Sequence, residues 1–178
     1  MVMVSKKICL IGDFNVGKTS LIRRFVEREF SDRYLSTVGV KISRKKVEVQ
    51  SQKQQQNQTV QLLIWDLEGS TKYKQIIPSY LQGASGALIV ADITRKETIE
   101  HLPQHIDTFT KINPKGKLIV GLNKSDLIDR DSQKRYMDYV AQFPEFSKVI
   151  ASYISSAKTG NSVDEMFLQL ATHIIGWE

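Results

Sequence analysis

A chain of 178 residues with 41% hydrophobic residues can bury one sizeable core and is short for two, so a single domain over residues 1–178 is expected. No apolar stretch reaches the about eighteen residues of a membrane span, and the N-terminus MVMVSKK lacks the order of charge, apolar core and cleavage site of a secretory leader. The formal net charge of +6 suits an anionic partner but is also an ordinary solubility charge at this size, so it does not by itself call for a nucleic-acid polymer.

The first apolar run, residues 6–12 (KKICLIG), predicts a buried strand and contains the single cysteine, Cys9. A lone cysteine in apolar surroundings fits a reducing cytoplasm and a small buried side chain better than a reactive thiol. The strand runs straight into GDFNVGKTS, and helical spacing follows at Leu21, Ile22, Phe25 and Val26. Gly12, four residues, then Gly17-Lys18-Thr19 make the pattern G-x-x-x-x-G-K-[ST] between a strand and a helix, which is the context a phosphate-binding loop needs. Backbone N–H groups of Asn15, Val16, Gly17, Lys18, Thr19 and Ser20 would wrap the phosphates, Lys18 would neutralise β and γ oxygens, and the Thr19 hydroxyl would hold Mg²⁺. The expected cargo is a nucleoside polyphosphate.

Residues 38–50 (VGVKISRKKVEVQ) alternate apolar with basic residues, as on an antiparallel edge strand whose lysines blunt the open edge. The polar stretch 51–59 then reads as a solvated hairpin loop. A second buried strand is predicted over 60–66, broken by WDLEGSTKY, where Asp66 and Gly69 are either ordinary strand-end punctuation or ligand contacts. Further buried strands are predicted at 86–93 (GALIVADI), 117–123 (KLIVGLN) and 148–155 (KVIASYIS). Between them Ile99, Leu102, Ile106 and Phe109 have helical spacing, with Pro103 tolerated only if a helix starts just before it. The last helix shows a capping-box pattern at Ser162 and Glu165 and a core stripe of Val163, Met166, Phe167, Leu170 and Ile174. Strands alternating with helices predict an α/β fold: a six-stranded, mostly parallel sheet with one antiparallel edge strand and helices on both faces.

After the strand at 117–123 comes N-K-x-D, at Asn123, Lys124 and Asp126. A carboxylate at Asp126 can accept two hydrogen bonds from the ring N–H and exocyclic amine of guanine, whereas adenine would set an acceptor against a buried carboxylate. Asn123 would tie neighbouring loops together, and the Lys124 stem would cover the base plane. With these motifs the chain resembles the Ras-superfamily small GTPases, nearest the Rab branch, over residues 5–175. The resemblance implies the small G domain of the phosphate-loop NTPases, with GTP or GDP and Mg²⁺ as ligands. It implies Phe30 beside the guanine, Thr37 of YLSTVGV as a Mg²⁺ ligand, and Ser156, Ala157 and Lys158 at the base edge. It also makes Asp66 the residue that holds Mg²⁺, through water, and Gly69 the one whose N–H meets the γ-phosphate. Because only GTP carries that third phosphate, Thr37 and Gly69 can be held in one state and released in the other.

The chain departs from the family where hydrolysis is concerned. Ser70 stands where a glutamine that orients the attacking water is usual, Phe14 replaces a small residue beside the γ-phosphate, and Glu68 replaces alanine. Lys18, Thr37, Ser70 and Glu68 are the candidate catalytic residues, with Glu68 or Thr71 as substitutes for the missing glutamine. Slow intrinsic GTP hydrolysis is expected, since positioning is most of the catalysis in phosphoryl transfer. The end HIIGWE holds no cysteine for prenylation, so a cytoplasmic protein is expected, with peripheral membrane association only if a lipidated tail extends beyond it. Effectors would read the loops at about 32–42 and 66–80 together with the basic edge strand, and an exchange factor and a GTPase-activating protein are implied. The rival reading is a GTP-bound interaction module that hardly hydrolyses; an ATP-dependent small-molecule kinase is disfavoured by Asn123, Lys124 and Asp126.

Overall fold

The computed structural model describes residues 3–33, 36–50, 57–67, 69 and 77–175. Strands β1 (Val4–Ile11), β2 (Val40–Gln50), β3 (Asn57–Leu67), β4 (Gly86–Asp92), β5 (Lys117–Asn123) and β6 (Ala151–Ile154) form one sheet in the order β2-β3-β1-β4-β5-β6. Only β2 runs antiparallel to its neighbour, β3; the other pairs are parallel. The helices are α1 (Lys18–Glu27), α2 (Ile77–Leu81), α3 (Lys96–Glu100), α4 (Leu102–Ile112), α5 (Arg130–Val140) and α6 (Val163–Ile175).

Successive strand residues point to opposite faces, and here both faces are covered. Ile8, Leu10, Ile64 and Leu88 pack with Leu21 and Phe25 of α1 and Phe167 and Leu170 of α6. Their sequence neighbours Cys9 and Ile89, together with Val120 of β5, pack with Leu81, Ile106, Phe109 and Val140 on the other side. This explains the unbroken apolar runs, because a strand buried on both faces has no solvent side to be polar. Phe25 and Phe167 stack with ring centroids 4.1 Å apart, holding α1 against α6. Each fully buried side chain of this kind contributes about 1.5–3 kcal/mol. Cys9 is wholly buried; burial, against the opposing charge of Lys7, pushes its thiol up to about 12, so it is an inert core residue.

Several boundaries differ from the sequence expectation for local reasons. The antiparallel ladder continues to the pair Gln50 and Asn57, so residues 57–59 are strand, and of the polar hairpin only 51–56 remain, outside the described residues. The segment before β6 forms a 3-10 turn at Pro144–Lys148, which shortens that strand to Ala151–Ile154. The helix around Pro103 is two helices that meet at His101, with the proline in the first turn of α4 where its missing N–H costs nothing. The capping box read at Ser162 is not built. Ser162 has φ 56°, whereas a capping serine needs extended backbone. Helix α5 has no counterpart in the sequence reading, because only Val140 of it is buried; its signal is the cap at Asp129, which accepts from the Ser132 N–H at 2.8 Å. Among the described residues no helix is long and apolar enough to cross a membrane.

Candidate functional site

The C-terminal ends of β3 and β5 and the loop that follows β1 line a cavity of about 360 Å³, at the edge of the sheet where parallel α/β folds bind ligands. The loop between β1 and α1 forms its floor. Gly17 has φ 99° and lies so close to the Asn123 amide that a Cβ would collide with it. Consecutive carbonyls of this loop are held from below. Those of Gly12 and Asp13 accept from Lys18 Nζ at 2.8 Å each. The next, on Phe14, accepts from Arg95 at 2.7 Å, that of Asn15 from Lys124 Nζ at 2.8 Å, and that of Val16 from Asn123 Nδ2 at 3.0 Å. With its acceptors tied back, the segment is suited to offer its N–H groups to an anion.

At one corner three oxygen-bearing side chains converge. Thr19 Oγ1 lies 2.8 Å from Thr37 Oγ1 and donates to Asp66 Oδ2 at 2.5 Å, while Thr37 Oγ1 donates to the same oxygen at 3.3 Å. Asp66 Oδ1 is buried with no hydrogen-bond partner among the described residues. Burial raises the Asp66 carboxyl above its ordinary range, against hydrogen bonds from Thr19 and Thr37 and the charge of Lys18. Hydroxyl and carboxylate oxygens around an unsatisfied carboxylate atom are a donor set that fits a hard divalent cation such as Mg²⁺. Gly69 stands against the floor loop: a Cβ there would lie 2.6 Å from the Asp13 carbonyl and 2.7 Å from Lys18 Nζ.

At the other end of the cavity Asn123, nearly fully buried, donates to Val16 as above and accepts from the Ala157 N–H at 3.2 Å. Asp126 is exposed on the lip, and its Oδ1 accepts from the Ser156 hydroxyl at 2.6 Å; the expectation of a buried carboxylate there is therefore not met in the protein alone. Lys124 Nζ is bound to the Asn15 carbonyl and to Asp92 Oδ2 at 2.7 Å, and the side chain lines the cavity. Phe30 and Lys158 line the same cavity, as do Asn15, Ser20 and Ala157. Val16 and Ser156, fully buried, lie behind the lining rather than in it. Phe14, on the floor loop, is 45% exposed and lines the cavity. Glu68, Ser70 and Thr71 lie outside the described residues.

The sequence reading missed the supports. Asp92 closes β4 as Asp66 closes its strand, an apolar run ended by an acid. Burial would raise its carboxyl, but hydrogen bonds from Lys124 and Thr94 hold it below the ordinary range. Arg24 donates to the carbonyls of Ala157 and Lys158, fastening α1 to the base-side loop. Asp13 is gripped by His101 and His105, residues that no motif joins.

The Ras family model matches residues 7–176. The chain belongs to the Ras family. Within it most of the relatives found carry Rab names: "Ras-related protein Rab-1A" of Dictyostelium discoideum is 36% identical over 172 residues, covering 94% of this chain and 79% of the relative. "Ras-related protein Rab-22A" of Homo sapiens is 33% identical over 98% of this chain and 86% of its own length. "GTP-binding protein ypt1" of Schizosaccharomyces pombe is 33% identical over 94% of this chain and 79% of its own. The sheet order, the single antiparallel strand and these matches identify a Rab-like small G domain, a GTPase fold.

Proposed function

We propose that this Ras-family chain is a guanine-nucleotide switch with slow intrinsic GTP hydrolysis. The observation that carries the reading is the corner where Thr19, Thr37 and Asp66 meet beside Lys18 and Gly69. Thr37 belongs to one loop and Gly69 to another, so a γ-phosphate reached by both would order two surfaces at once. Bound there, Mg²⁺ would neutralise β and γ phosphate charge. Thr19 and Thr37 would hold it directly and Asp66 through water. Lys18 would leave the Gly12 and Asp13 carbonyls for phosphate oxygens. Asp126 would take the guanine N–H groups, with Phe30 beside the ring and Ser156, Ala157 and Lys158 at its edge. Asn123 would keep that end assembled by bridging β5, the floor loop and the base-side loop.

Hydrolysis unaided by a partner would be slow. Ser70 is too short to orient water as a glutamine would, and the Phe14 ring crowds the phosphate end. Glu68, Thr71 or a partner's arginine would have to supply what is missing, the last by about 10³ to 10⁵ in rate. Effectors would read the two switch loops and the basic edge strand, where Lys41, Arg44 and Lys46 are exposed; an exchange factor and a GTPase-activating protein would drive the cycle. Phe14 favours the second reading, a GTP-held scaffold. Chromatography of the nucleotide released on denaturing protein purified with Mg²⁺ tests both. GDP supports a completed cycle, GTP supports the scaffold, and an adenine nucleotide or none would overturn the guanine assignment.

A further inference from the structure

We propose that His101 and His105 are positioning residues for the phosphate loop, acting through Asp13, and that the charge on this histidine pair sets how long a nucleotide is retained. The proposal rests on the nucleotide-site reading above. Asp13 occupies a variable position of the loop motif, yet both its oxygens are taken: Oδ2 lies 2.6 Å from His101 Nδ1 and Oδ1 lies 2.8 Å from His105 Nε2. These partners are 88 and 92 residues away in sequence. His101 precedes α4 and His105 follows four residues later, so both rings share one helix face.

Burial works to raise the Asp13 carboxyl, but the hydrogen bonds from His105 and His101 outweigh it and bring it down to about 2. An ionised carboxylate only accepts, so each imidazole must donate, from Nδ1 at His101 and from Nε2 at His105. The main chain of the same residue faces the chemistry. Its carbonyl accepts from Lys18 Nζ at 2.8 Å and backs directly onto Gly69. The histidine pair therefore holds the side chain of a residue whose backbone carries the two groups expected to meet the γ-phosphate.

Neutral imidazoles make two hydrogen bonds already strengthened by the charge of the Asp13 carboxylate; protonated ones add an ion pair to each. They also bring positive charge to the loop that holds the phosphates. Both effects slow nucleotide release as pH falls. Among the described residues the surrounding charges are Lys18 on the loop, Arg95 on the Phe14 carbonyl, and Glu97, 4.0 Å from Arg95. Behind them lie Asp92 with Lys124, then Glu100 on α3 and, further along α4, Asp107 paired with Lys148. Groups of these types do not ordinarily change charge between about pH 5 and 8, whereas imidazoles do.

The test is the release of a fluorescent GDP analogue, N-methylanthraniloyl-GDP, from Mg²⁺-loaded protein chased with excess GDP between about pH 5.5 and 8. Wild type is compared with the H101Q/H105Q variant, since glutamine can donate but cannot charge. The ratio of variant to wild-type release rate cancels the effect of pH on the nucleotide itself. It is expected to rise from near unity at about pH 8 to about fivefold at about pH 5.5. If the double variant does not fold, H101Q alone decides by the same criterion, with about a twofold rise; its side chain is half exposed and outside the core. A ratio that is the same at every pH, whatever its size, overturns the proposal. Wild type that takes up no probe at all would instead bring down the nucleotide-site reading, and is seen before any variant is compared.

Discussion

Thr19 Oγ1 donates to Asp66 Oδ2 at 2.5 Å across 47 residues of sequence, while the other oxygen of the same carboxylate is buried without a partner among the described residues. A carboxylate left this way is costly in the protein alone and useful only to a cation. The substitution Asp66→Asn should therefore act in opposite directions on two states. Without metal it should raise stability by about 1 kcal/mol, and with Mg²⁺ and GDP it should remove most of the ligand-dependent gain. Urea denaturation with EDTA and with Mg²⁺·GDP reads both. A metal-free variant that is markedly less stable than wild type would contradict this account of Asp66.

Asn123 joins three segments through two hydrogen bonds inside a buried site. Replacing it with alanine leaves the Val16 carbonyl and the Ala157 N–H unsatisfied, at a cost of about 1–3 kcal/mol for each buried group. The expected result is a clear drop in denaturation midpoint and faster GDP release together. Loss of affinity with unchanged stability would show that the bridge matters only once ligand is bound.

Asp126 is exposed and held by the Ser156 hydroxyl, so Asp126→Asn should fold normally. An amide offers one acceptor where the carboxylate offers two, and its NH₂ would confront the guanine donors. GDP affinity should fall by about a hundredfold or more, with less loss for xanthosine diphosphate, whose 2-oxo group accepts. Titration calorimetry with both nucleotides checks the direction. Equal losses for the two would remove Asp126 from base recognition.

Phe14 and Ser70 are the changes expected to slow hydrolysis. Restoring the usual residue types with F14G and S70Q should raise single-turnover GTP hydrolysis by about tenfold or more, with GDP affinity changed much less. Wild type that already hydrolyses as quickly as the double variant would mean that Glu68, Thr71 or another group already orients the water.

Asp13 links the floor loop to acid stability. Its carboxyl titrates lower in the fold than the about 4 of an unfolded chain, so ionisation favours the folded state. That contribution is complete above about pH 4 and disappears as pH falls towards about 2. Asp13→Asn should cost about 1–2 kcal/mol near neutrality, discounted for the partial exposure of the group. The gap between variant and wild type should close on acidification through that interval, as followed by urea denaturation at a series of pH values.

The strands and the parallel sheet with its antiparallel edge were legible, and the two motifs proposed to hold nucleotide stood out, because each depends on neighbours in sequence. A strand covered on both faces must be apolar without interruption, as GALIVA is before Asp92 ends it. A loop that closes around phosphate needs its glycines and its lysine within eight residues of one another, from Gly12 to Thr19. Helix α5 and the start of β6 were not legible, since α5 buries little apolar surface and Pro144–Lys148 takes up a turn that apolar content alone does not mark. Ser162 shows the converse: a capping pattern in letters that the backbone, at φ 56°, does not use.

By itself, then, the sequence marked the segments proposed here to hold phosphate and base, because those groups are presented by short contiguous segments. Tertiary structure alone decided what supports them. The grip of His101 and His105 on Asp13, the hold of Arg95 and Lys124 beneath the floor loop, and the exposed position of Asp126 all join residues from separate elements. Such contacts depend on how strands β1, β4 and β5 lie side by side and on where α4 crosses them, and no local pattern of residues encodes that distance.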